Sequence, residues 1–354
     1  MLEVALCFPL VPNPPIAALS VLISPPPALP QSGRLMIARA PDLSPSPRAL
    51  LALPPFSSSF RSPVLLLLRP FVLEATGSYW VALAVTLHEE GYAVAVINPA
   101  QLHKYAQSLP RRGKTDALDA QVSLRFAVER KPSTWTPPSA VYHDLRQRLI
   151  ARDGLLSMRQ QARNQRHALE QWPVVVGSVL AQLDGVIADL DQRLAILEKE
   201  IAEVLMDGEW ASSAALLSTI PGIGLVTSAW LLVSTLNFSL CATPEQAAAY
   251  AGLVPLQRES GTSVRGRAQL GHGGNGRLRT ALYLASLSAT RYNPAIKVFY
   301  ERLRAAGKPM KVARCAAARK LLHMAWAVVT KGQPFDSTHA EHRSVSRAVV
   351  ALAA

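Results

Sequence analysis

Fifteen of the 27 prolines fall within the first 70 residues, and this most limits what the chain can fold into. Segments such as Ser24-Pro25-Pro26-Pro27 and Leu53-Pro54-Pro55 lack amide donors and fix φ, which excludes a continuous helix or a central strand there. The same stretch holds no lysine and only two acids, Glu3 and Asp42. It is apolar without periodicity, so residues 1–70 are expected to be a Pro-rich, non-native-looking or disordered segment. A shifted reading frame or wrong start codon would produce such a segment. The texture changes at Phe71. Phe71-Val72-Leu73 is strand-like, Tyr79 to His88 is amphipathic, Tyr92 to Ile97 is a buried-strand run, and a short helix from Ala100 to Gln107 follows. Strand, helix, strand, helix predicts an α/β unit with parallel pairing.

Behind it lies the basic run Arg111-Arg112-Gly113-Lys114, then Thr115-Asp116-Ala117-Leu118-Asp119-Ala120. On a helix, positions i and i+3 share a face, so Asp116 and Asp119 point the same way. Two acids on one face with cations nearby suit a divalent-metal site for phosphate chemistry. Taken alone they suit a solvated helix N-terminus better, because acids there complement the dipole. Glu74 closes the first strand, where α/β sheets place working groups. It would make a third carboxylate.

From Pro137 to Met206 leucines and isoleucines recur at three-to-four spacing, among them Leu145, Leu149, Leu190, Leu194 and Ile201. Charges fill the gaps, which predicts a helical hairpin or coiled coil broken near Trp172-Pro173. The last domain begins near Ala214. Its Ile220-Pro221-Gly222-Ile223-Gly224 turn fits either backbone amides approaching a DNA phosphate, through Gly222 and Gly224, or plain helix–helix packing. Pro255 to Ser263 reads as a polar loop rich in hydroxyls. Helices are expected from Leu282 to Arg291, after Asn293-Pro294 and after Lys308-Pro309. Arg277, Arg279, Arg319 and Lys320 read as phosphate clamps.

Charge supports that last reading. Between Arg258 and Lys331 there are 15 Lys+Arg against two acids, Glu259 and Glu301, so this one segment accounts for the whole net charge of +13. A polyanion, nucleic acid before membrane, is the expected partner. Three scattered cysteines without metal spacing fit a reduced cytosolic protein, and no apolar run approaches a membrane span of roughly 20 residues.

Eight of these strings, in order, resemble the insertion sequence 110 family of bacterial transposases, and the last block is most similar to its 1111 subgroup. They are Leu73-Glu74-Ala75-Thr76-Gly77, Ile97-Asn98-Pro99, Lys114 to Ala120, Ile220 to Gly224, Glu259-Ser260-Gly261, Gly274-Asn275-Gly276-Arg277-Leu278-Arg279, Asn293-Pro294 and Arg319-Lys320-Leu321-Leu322. The resemblance runs from about Phe71 to Asp336. It implies a RuvC-like (RNase H-type) α/β catalytic domain over 71–138, a helical hairpin over 139–210, a mainly α transposase-20 domain over 211–336 and a tail over 337–354.

It also implies a site of four acids, Asp, Glu, Asp, Asp. Glu74, Asp116 and Asp119 match the last three and would hold Mg²⁺. Ser260 matches the family's serine nucleophile, with Ser263 a nearby second candidate. Arg111, Arg112 and Lys114 join the nucleic-acid contacts. The implied partners are element-end and target DNA, an element-encoded guide RNA and further copies of the chain in a dimer or tetramer. The implied setting is the bacterial nucleoid in the cytoplasm.

The match is incomplete at the N-terminus. The family's first aspartate lies on an opening strand, and nothing in residues 1–70 matches it. Asp42 is framed by Pro41 and Pro45, unfit for a central strand. An impaired transposase is therefore expected, with a RuvC-like junction nuclease or a non-catalytic nucleic-acid-binding remnant as alternatives.

Overall fold

The computed structural model describes residues 2–6, 19–23, 35–39, 71–110, 113, 115–260 and 263–337. It divides into two units, Met1–Pro137 and Pro138–Ala354. Most of the described residues are helical, and the sheets are small.

The first unit is built on β4 (Phe71–Glu74) and β5 (Val94–Ile97), which pair in parallel from Phe71↔Val94 to Glu74↔Ile97. Between them runs α1 (Tyr79–Glu89), and α2 (Pro99–Gln107) and α3 (Asp116–Arg130) follow. Strand side chains alternate between faces, and both faces are covered. Leu73 and Val94 pack with Ala84, Trp80, Leu87 and Trp135 on the α1 side. Val72, Ala95 and Ile97 pack with Leu102, Tyr105, Val122 and Phe126 of α2 and α3 on the other. Each helix start carries its own signal. Asn98 Oδ1 accepts from the Ala100 amide with Pro99 at the first turn, and Thr115 Oγ1 accepts from the Leu118 amide.

The expectation for residues 1–70 lies mostly outside the described residues. Three segments of that span are described, all as strands: β1 (Leu2–Leu6), β2 (Leu19–Ile23) and β3 (Leu35–Arg39). They avoid every proline and are the longest β-prone pieces that the prolines leave. They extend the sheet to the order β2-β3-β1-β4-β5. β1 is parallel to β3 but antiparallel to β4, so the expected parallel pairing holds at β4–β5 and not at the β1–β4 join.

In the second unit α4 (Ala140–Leu169) and α5 (Gly177–Asp207) pack together as a helical hairpin, interrupted where Trp172-Pro173 lies. Its flanks are laced by ion pairs: Arg148 with Glu200, Arg152 with Glu198, Arg159 with Asp191 and Arg166 with Asp184. Its base is not a separate body. Leu145, Leu149, Ile201 and Leu205 belong to one core with the helices that follow. Those are α6 (Ala211–Ser218), α7 (Leu225–Thr235), α8 (Pro244–Tyr250), α9 (Gly276–Tyr292), α10 (Pro294–Ala305) and α11 (Met310–Lys331). Leu217, Leu231, Leu232, Leu278, Leu282, Ile296 and Leu321 fill this core.

One expectation is corrected here. Pro255 to Ser263 is not a loop throughout: β6 (Pro255–Ser260) pairs antiparallel with β7 (Val264–Leu270), with a register shift between Leu256 and Arg258. The segment has no alternating apolar face to announce a strand. Its pairing rests on the backbone ladder.

Candidate functional site

Glu74 is the last residue of β4, half-buried, and its Oε1 accepts from the Thr76 hydroxyl at 2.9 Å. Thr76 sits in the turn that leads to α1, so the strand end and the turn hold the carboxylate between them. Asp116 and Asp119 are both in the first turn of α3, half-buried, where the exposed amides of a helix start favour negative charge. α3 packs against β4, so all three predicted acids belong to adjacent elements of the first unit. Carboxylate oxygens are the right donors for a hard divalent cation. Among the described residues, however, no three acid, imidazole or thiol side chains gather closely enough to enclose a metal ion. The donor chemistry fits such an ion and the described arrangement does not.

Arg111, Arg112 and Lys114 lie outside the described residues. Ser260 closes β6 opposite Val264, and Ser263 is an exposed turn residue of the same hairpin. Both belong to the second unit, and the three acids belong to the first.

The Pro221-Gly222 turn is occupied by packing. Gly222 has φ +104°, and a Cβ there would meet the Ala289 backbone of α9 at 2.7 Å. Asn293, fully buried between α9 and α10, donates from Nδ2 to the Pro221 carbonyl at 3.2 Å. Gly224 caps α7 and is exposed, with open space where its Cβ would be. Of the two glycines, only Gly224 offers a free approach.

The predicted cations are largely engaged within the protein. Arg277 lies over the Trp230 ring at 5.4 Å and faces Asp153, whose carboxyl burial pushes up against the pull of Arg277 and Arg152. Arg279 donates from Nη1 to the Gly273 carbonyl at 2.8 Å and holds the Gly-rich loop against the start of α9. Lys320 donates to the Ala295 carbonyl at 2.9 Å and lies over Phe299 at 4.8 Å. Burial, then Arg302, lowers its pKa. Arg319 is half-buried near His323. Arg277 is nonetheless exposed, and so are Lys297, Lys308 and Lys311. The signal for Lys297 in the sequence is spacing: it falls between the buried Ile296 and the half-buried Phe299, on the outer face of α10.

Two family models match the chain. One, described as a transposase of the DEDD type found in insertion sequence IS110, covers residues 70–171; the other, described as transposase IS116/IS110/IS902 family, covers residues 214–301. A pilin gene-inverting protein of Moraxella bovis is 33% identical over 268 residues, which is 75% of this chain and 81% of that protein. A protein of insertion element IS110 from Streptomyces coelicolor is 33% identical over 164 residues, 46% of this chain and 38% of the relative. The transposase for insertion sequence element IS1328 of Yersinia enterocolitica is 23% identical over 272 residues, 70% of this chain and 79% of the relative.

Proposed function

The chain belongs to the IS116/IS110/IS902 family of transposases, and from that premise we propose that it cuts and rejoins the DNA ends of an insertion sequence through a carboxylate site and a serine nucleophile. The observation that carries this reading is the order of the two matched segments. The first contains Glu74, Asp116 and Asp119, and the second contains Ser260. A relative named for inverting a pilin gene fits the same chemistry, because inversion and transposition both exchange DNA strands.

Parallel β4 and β5, with an acid at the carboxyl end of β4, support a RuvC-like catalytic domain. Glu74, Asp116 and Asp119 are the carboxylates that the family pattern gives to a divalent cation, Mg²⁺ by that pattern, although in the described arrangement they do not close around one. Ser260, at the end of β6, is the nucleophile in this reading. A serine hydroxyl is weak until a base or metal activates it, so the acid unit and the serine unit must work together in a dimer or tetramer. An RNA from the same element guides the choice of target, and the enzyme works at the bacterial nucleoid.

This chain is impaired in that chemistry. The three matched acids are one short of the family's four, and Asp42, the only aspartate before them, sits between prolines. The test is a denaturing gel that traps protein–DNA adducts on element-end DNA. A trace adduct is expected that Ser260→Ala abolishes and Ser263→Ala spares. An adduct that persists in Ser260→Ala overturns the serine assignment. Metal-dependent cleavage with no adduct points to a junction nuclease. Binding with no cleavage, indifferent to Glu74→Ala, points to a binding remnant.

A further inference from the structure

Between Arg291 and Arg314 the chain carries seven Lys+Arg and one acid, Glu301. Lys297 on α10, Lys308 in the following turn and Lys311 at the start of α11 are all exposed. Elsewhere the chain neutralises solvated helices: along α4 and α5 arginines pair with carboxylates across the hairpin. The ion pairs among the described residues run from Arg125 to Glu203, and none reaches this face. Clustered like charges repel, which costs stability unless a polyanion neutralises them.

We infer that the exposed face of α10 and the start of α11 is a docking surface for the phosphate backbone of duplex DNA, with Lys297, Lys308 and Lys311 as its contacts. The inference rests on the transposase reading for the choice of DNA. It assigns the contacts to residues other than Arg277, Arg279 and Lys320, which already hold Trp230, the Gly273 carbonyl and the Ala295 carbonyl. The surface suits backbone better than base stacking. Phe299 is covered by Arg302 at 5.4 Å and Lys320 at 4.8 Å, so its ring is not presented to a base. α10 has 12 residues and is therefore about 18 Å long. A duplex presents one charge per roughly 1.7 Å, so several phosphates lie within reach of it.

The experiment measures binding of the full chain to a random-sequence DNA duplex between about 50 and 200 mM salt. For Lys297→Gln/Lys308→Gln/Lys311→Gln, the slope of log K against log salt is expected to become shallower by about 2.7, or about 0.9 for each single variant. Its unfolding midpoint is expected to match or exceed that of the parent. Lys320→Gln is the control: it lowers the unfolding midpoint and leaves the slope alone. An unchanged slope in the triple variant overturns the surface while leaving the transposase reading standing. A parent chain that binds no DNA at any salt overturns both. A slope change seen with an RNA duplex and not with DNA overturns the choice of partner.

Discussion

Asn293 joins three parts of the second unit, the Pro221-Gly222 turn, α9 and α10, and Asn293→Ala should be correspondingly costly. The side chain is fully buried and does two things at once. Its Oδ1 accepts from the Ile296 amide and caps α10, and its Nδ2 donates to the Pro221 carbonyl, 72 residues away in sequence, tying the Pro221-Gly222 turn to α9 and α10. Loss of an Asn cap costs about 1 kcal/mol. The partly buried Pro221 carbonyl left without its donor costs roughly 1–3 kcal/mol more. The sum is about 3 kcal/mol, and with a urea slope of about 2 kcal/mol/M it lowers the midpoint by about 1.5 M.

Asn293→Ser keeps an acceptor for the cap and loses only the link to Pro221, so about two thirds of that loss, about 2 kcal/mol, is expected. Asn293→Asp places a carboxylate against a carbonyl in a buried site. Its folded pKa is therefore raised, its neutral form fits better, and its stability deficit should shrink as pH falls through that raised value. The assay is urea unfolding followed by tryptophan fluorescence, since Trp230 lies in the same core. A loss of less than about 1 kcal/mol in Asn293→Ala would refute the reasoning.

Leu149 is fully buried where the α4/α5 hairpin joins the second core. Leu149→Ala should cost about 2–5 kcal/mol, whereas Arg159→Ala, which removes the half-exposed pair with Asp191, should cost less than about 1 kcal/mol in the same urea titration. His323 has its pKa lowered, first by burial and then by Arg319, against a smaller opposing pull from Glu245. Its Nε2 is buried without a partner among the described residues. The folded state thus favours the neutral ring: stability is full above the unfolded value of about 6.5 and is lost as pH falls through the lowered folded value. Urea midpoints at about pH 7.5 and 5.5 check this, and His323→Phe should flatten the difference.

What could be read directly from the sequence was periodic or capped. The alternation around Val72 and Leu73 marked a strand, Asn98-Pro99 and Thr115 marked helix starts, and the Leu145 to Leu205 spacing marked the hairpin. Strand β6 escaped because Gln257, Arg258 and Glu259 give it no apolar face, and β1 to β3 escaped because prolines surround them. For the candidate site, residue types were legible and employment was not. A sequence places Arg277, Arg279 and Lys320 in basic surroundings, but only the fold shows that Trp230, the Gly273 carbonyl and the Ala295 carbonyl occupy them. The sequence around Gly222 suits phosphate and packing alike, and Ala289 and Asn293 show it packed.

The shortage in the acid set is tested most directly by strand exchange on element-end DNA with Mg²⁺ and guide RNA, run on this chain beside Glu74→Ala. The account predicts that both stay near background, with this chain at most marginally above the variant. Robust recombination by this chain that Glu74→Ala abolishes would contradict it, because a complete metal site would then be present without the family's first aspartate.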